Sequence, residues 1–194
     1  MAPTDHRPEL YQAFDQAAGV VAGIGPGQLP NPTPCRSWDV SQLLDHTVMA
    51  ARRIVGIGRG EQPKDTGTPH IELADAPEEL RRAGAEAKEA WADEARLSME
   101  VVMPWGETYT GSTLVDMYLV ELAAHAWDLA FATGQVGRLG PALAGPALQA
   151  AKAIVKPGYR NADGEGSPFG PEVEPPAGAT LWERFAAFMG RQPR

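Results

Sequence analysis

The chain has 194 residues, 43% hydrophobic and 22% charged, with a formal net charge of −8 and an isoelectric point near 5.0. That is the profile of a single soluble globular domain, residues 1–194, long enough to bury a real core. No Lys/Arg-rich stripe favours nucleic acid and no apolar run approaches a membrane span.

The amino terminus, Met1 to Leu10, lacks the apolar region and small-residue cleavage site of a secretory leader, so a cytoplasmic location is expected. A first helix is predicted over 7 to 24, where Leu10, Phe14, Ala17, Ala18 and Val21 recur at helical spacing. Gly23, Gly25, Pro26 and Gly27 end it, and residues 26 to 37 form a Pro-rich loop. That loop carries the only cysteine, Cys35, which rules out an internal disulfide and a multi-thiolate metal site. A small buried residue is the expected role for Cys35.

A second helix starts near Asp39, which forms a capping-box pattern with Gln42, and Gly56, Gly58 and Gly60 are expected to end it. Residues 58 to 74 are a polar loop. A third helix begins at Asp75-Ala-Pro-Glu, with Asp75 as its cap, and runs to about Leu97. Met99, Val101 and Met103 alternate as in a short extended piece before Pro104-Trp105-Gly106 turns the chain. A fourth helix is expected from about Ser112 to Thr133, a fifth over roughly 141 to 155, and a short last one from Leu181 to Met189. The last is capped by Thr180 with Glu183, and Leu181, Phe185 and Phe188 are its predicted apolar face. The result is an all-α chain of four main helices with additional short ones.

The fourth helix contains the most telling spacing. Glu121 and His125 stand four residues apart, just over one turn, so both leave the same helix face. His46, inside the apolar stripe of the second helix, is a third candidate donor. Two His and one Glu would make a three-ligand site with a position left for water or substrate, as in catalytic rather than structural zinc. Taken singly, each residue has a plainer role. A Glu-x-x-x-His pair is often a surface hydrogen bond, His46 could be a satisfied core histidine, and an Arg could neutralise Glu121 as well as a cation.

Longer patterns surround these residues. They are Thr33-Pro-Cys35-x-x-Trp38-Asp39-Val40 with Leu43-Leu44-x-His46, then Glu121-x-x-x-His125-x-Trp127-Asp128-Leu129-Ala130 with Thr133-Gly134, and Phe169-Gly-Pro-Glu-Val173. In all three the chain resembles the DinB-like superfamily, and within it the metal-binding domain of mycothiol-dependent maleylpyruvate isomerases. The resemblance implies an up-down-down-up four-helix bundle and a divalent metal, usually zinc, on His46, Glu121 and His125. Nickel, iron and manganese suit the same donors. It also implies mycothiol as cofactor, its sulfur carried as a thiolate. The isomerase has a further C-terminal domain and this chain ends at Arg194, so a stand-alone family member is expected.

Two functions follow. One is a thiol-dependent transferase, isomerase or hydrolase acting on a small molecule. The other is a non-catalytic module whose metal is structural or sensory. With Glu121 as a ligand, proton transfer would fall to Asp128 or Asp45, each of which has a plainer role as a hydrogen-bond partner or solvated helix residue. Trp38 and Trp127 are expected to be core anchors and Trp105 to line a pocket. His6 and His70 are given no ligand role, and Arg52 and Arg53 are assigned to a solvated face. The resemblance also allows a homodimer through the bundle surface, though no exposed stripe of the sequence marks one.

Overall fold

The computed structural model describes residues 4–36, 38–160 and 169–193, so Ser167 and Pro168 of the Gly- and Pro-rich tail lie outside the described residues. Among the described residues are six α-helices and one two-stranded sheet. The helices are α1 (Arg7–Val21), α2 (Val40–Gly58), α3 (Ala76–Ala90), α4 (Gly111–Ala132), α5 (Pro141–Ile154) and α6 (Leu181–Phe188).

Local chemistry sets most of the helix starts. Asp39 accepts from the Gln42 amide while the Gln42 side chain accepts from the Asp39 amide, and Thr180 with Glu183 repeats this reciprocal cap on α6. Asp75 does not cap: its backbone is already helical, which turns the side chain away from the free amides. Helix α3 stops at Ala90, short of Leu97, and a 3-10 turn over Glu94–Ser98 follows. Helix α2 passes Gly56 and ends at Gly58, within the expected glycine cluster. Its interior neighbours outweigh the modest helix penalty of one glycine.

The expected extended piece is β1 (Glu100–Val102), paired antiparallel with β2 (Thr108–Thr110). The second strand escaped sequence reading because three residues are too few to establish an alternation. Gly106 turns the chain between them at φ +93°.

Helix directions follow from pairings at their ends. His6, just before α1, meets Asp116 near the start of α4, and Gln135, just after α4, donates to the Val20 carbonyl near the end of α1. These two helices therefore run parallel. Arg52 meets Glu79 and Arg59 meets Glu86, two turns further along both α2 and α3, so this pair is also parallel. Arg7 donates to the carbonyl of Trp91 just beyond α3, setting α1 against α3. Asn31, just before α2, donates to Ala132 at the end of α4, setting α2 against α4. With α1 packed chiefly on α3 and α4, and α2 on the same two, the bundle is up-down-down-up, as the resemblance implied.

Helix α4 is the axis of the molecule. Its buried residues run almost unbroken from Tyr118 to Ala130, and it is packed by α1, α2 and α5. A helix apolar on every side is a central one. Helix α6 packs on α5 with Trp182 and Phe185 inward, whereas Leu181, expected on that face, is 47% exposed. No helix among the described residues is long and apolar enough to cross a membrane.

Gly111 opens α4 against the loop after α3, its amide donating to the Met99 carbonyl. A Cβ there would run into the Arg96 carbonyl oxygen and the Trp91 ring. Backbone cannot swing aside as a side chain can. Gly111→Ala is therefore expected to cost about 1–3 kcal/mol in denaturant unfolding. An unchanged midpoint would contradict this packing.

Candidate metal centre

Antiparallel packing of α2 and α4 brings the three candidate donors together. His46 lies six residues beyond Val40 at the start of α2, and His125 seven residues before Ala132 at the end of α4. With equal rise per residue these positions come level across the interface. Glu121, one turn back along α4, completes the set. Glu121 Oε1 lies 2.7 Å from His46 Nε2 and 3.3 Å from His125 Nε2. One donor atom from each residue falls within 4.8 Å of the others. Tetrahedral ligands at about 2.0–2.2 Å from zinc sit roughly 3.3–3.6 Å apart, so this donor set fits such an ion with small side-chain adjustments.

The charges are strongly coupled. Burial pushes the Glu121 carboxyl upward, but the His125 and His46 imidazoles override it and hold Glu121 well below the usual carboxylate range. Burial would lower His125, yet Glu121 and Asp128 raise it from the ordinary 6.5 to about 9. A histidine raised on folding adds stability that is complete below about pH 6.5 and lost as pH climbs through about 9. Metal-free protein is thus expected to lose stability across that interval, and His125→Gln to flatten the loss. Parallel pH profiles of thermal unfolding for the two proteins would refute the assignment.

Asp128 follows His125 by three residues on the same α4 stripe. It is wholly buried, with Oδ2 3.4 Å from His125 Nδ1 and 2.9 Å from Arg191 Nη2. Burial favours its neutral form, but Arg191 and His125 keep the carboxyl below its ordinary value. Asp45 stands elsewhere: it accepts from the Ile71 amide at 2.9 Å and lies 3.0 Å from His70 Nδ1, tying the polar loop to the outside of α2. His6 is buried and pairs with Asp116 at 2.7 Å.

His46, Glu121 and His125 open onto a cavity of about 1330 Å³. Trp38 is half-buried, packed against the core and also lining this cavity, its ring 4.3 Å from that of His46. The expectation of a core anchor holds for Trp127, which is 1% exposed. Trp105 lines the cavity from the hairpin, as expected. Arg53 lines it from α2, one turn beyond Ala50 and two beyond His46, whereas Arg52 pairs with Glu79 and Glu86. Neither arginine is simply solvated.

Cys35 is half-buried and lines the same cavity, with Sγ within 4.8 Å of donor atoms on His125 and Asp128. Sequence distance concealed this: ninety residues separate Cys35 from His125, and only the loop fold brings them together. The sequence reading also missed Arg191. A lone Arg three residues before the chain end carries no pattern.

Residues 10–130 match the family described as the mycothiol maleylpyruvate isomerase N-terminal domain. Uncharacterized proteins of two Mycobacterium tuberculosis strains are each 34% identical over 187 residues, covering 94% of this chain and 96% of theirs. The chain therefore belongs to the mycothiol maleylpyruvate isomerase N-terminal domain family. A crystal structure of the mycothiol-dependent maleylpyruvate isomerase aligns at a TM-score of 0.47 and 19% identity, over 66% of this chain and 61% of that one. The chain thus spans about three-fifths of that enzyme.

Proposed function

We propose that residues 1–194 form a single divalent-metal-binding domain, with zinc the leading ion, that works as a mycothiol-dependent transferase or isomerase on a small molecule. The observation carrying this reading is the convergence of His46, Glu121 and His125 on the wall of a cavity large enough for a thiol and a second reactant. Family membership supplies the thiol.

His46 Nε2, Glu121 and His125 Nε2 would hold the ion, and the chemistry it supplies when bound is ionisation of a thiol or water at its open position. The remaining roles belong to the chain. Asp128 receives His125 Nδ1 and leaves Nε2 facing the other donors. Trp38 lies against the His46 ring and limits its rotation. Trp105 and Met117 give the cavity apolar wall, and Arg53 gives it a cation. Asp116, on the same wall and pushed up by burial against the pull of His6, is better placed than Asp45 to exchange a proton with a bound molecule.

The test is thiol consumption by zinc-loaded protein given mycothiol and a panel of electrophiles, beside an enzyme known to turn them over. Turnover that disappears in Glu121→Gln supports the reading. No consumption across the panel, with metal bound, favours the structural or sensory alternative.

A further inference from the structure

Beyond α6 the chain turns back into the bundle. Gly190 takes φ +83°, the Arg191 amide donates to the Ala186 carbonyl at 2.9 Å, and the Arg191 side chain enters the interior, 6% exposed. Its Nε donates to Asp128 Oδ1 at 3.2 Å and its Nη2 to Asp128 Oδ2 at 2.9 Å, while Nη1 donates to the Met189 carbonyl. The family match ends at residue 130, so this fork joins the family's central helix to a segment outside the matched stretch.

We propose that Arg191 is a positioning residue of the metal centre, acting through Asp128 on His125. The inference rests on the metal-binding reading above. A carboxylate held by one hydrogen bond can still rotate; a two-point fork fixes its plane. With both Asp128 oxygens engaged, Oδ2 stays where it meets His125 Nδ1, and the imidazole presents Nε2 to Glu121 and His46. Partners of this kind set the ring orientation and basicity of a metal-binding histidine. Arg191 carries that control into the C-terminal segment, which also lines the cavity at Phe169, Gly170, Met189 and Gly190.

The plainer role for the pair is to pin the tail, and metal binding separates the two. Zinc affinity is measured by competition with a chromophoric chelator, and donor geometry by the visible absorption of the Co²⁺-loaded protein. Four proteins are compared: parent, Arg191→Met, Arg191→Lys, and the double variant Asp128→Leu/Arg191→Met. The double variant leaves no lone charge in the interior, so it keeps a folded comparison if Arg191→Met unfolds. Expected is zinc binding about 10–100-fold weaker in Arg191→Met and in the double variant, with an altered Co²⁺ spectrum and partial rescue by Arg191→Lys. Parental affinity and spectrum in the folded double variant would overturn the proposal and leave Arg191 a tail anchor. A folded parent that binds neither ion would overturn the metal reading itself, a failure seen before any substitution is made.

Discussion

Protein purified with zinc in the medium is expected to carry one divalent ion per chain, and His46→Ala, Glu121→Gln and His125→Ala each to lose it. Glu121 stands in the stretch of α4 from Tyr118 to Ala130 whose other residues are all buried, and it faces two imidazoles that are themselves largely buried. Without metal, Glu121 and Asp128 hold His125 protonated at neutral pH, and a bound cation replaces that proton. Elemental analysis of the four proteins reads the loss directly.

The same ion should stabilise the fold, because its ligands come from α2 and α4 and only the folded chain assembles them. At a free concentration about a thousand times Kd the gain is about 4 kcal/mol. For a chain of this size that is a rise of roughly 8–16 °C in Tm. Chelation should reverse the rise, and none of the three variants should show it. A Tm unmoved by zinc in the parent, with no ion found by elemental analysis, would leave the cluster an ion-paired core and nothing more.

Arg191→Met carries the second large expectation. Asp128 has no exposed surface and its carboxyl lies below the ordinary range because Arg191 and His125 offset its burial. Removing the guanidinium leaves a buried carboxylate with one long contact to His125. Breaking a buried pair in this way costs about 3–5 kcal/mol. Removing both charges, in Asp128→Leu/Arg191→Met, should recover most of it, because the double variant strands no charge. Denaturant unfolding of parent, single and double variants checks both. Equal losses in the two variants would mean that packing of the arginine stem, not its charge, holds the tail.

Much of this is legible in the amino-acid sequence. The stripe Leu43, Leu44, Thr47, Val48 and the caps Asp39–Gln42 and Thr180–Glu183 are local signals, and local signals survive folding. Helix α2 does end within its glycine cluster, at Gly58, which gives the Trp91 ring room that a Cβ would take. Failures came where tertiary contacts overrode local signals. Trp182 rather than Leu181 turns inward because its indole N–H donates to the Gly140 carbonyl at 3.0 Å. Trp38 faces the cavity because its loop closes beside His46.

By itself the sequence determined the helices, the shared face of Glu121 and His125, and, through its longer patterns, the family. Those depend on spacing of 3.6 residues per turn and on residue type, both written along one dimension. Only the tertiary structure decided that His46 stands level with His125, that Cys35 and Trp38 border the same cavity, and that Arg191 grips Asp128. Each of these joins residues more than sixty positions apart or from segments without periodicity, and the antiparallel packing of α2 on α4 and the return of the tail bring them together.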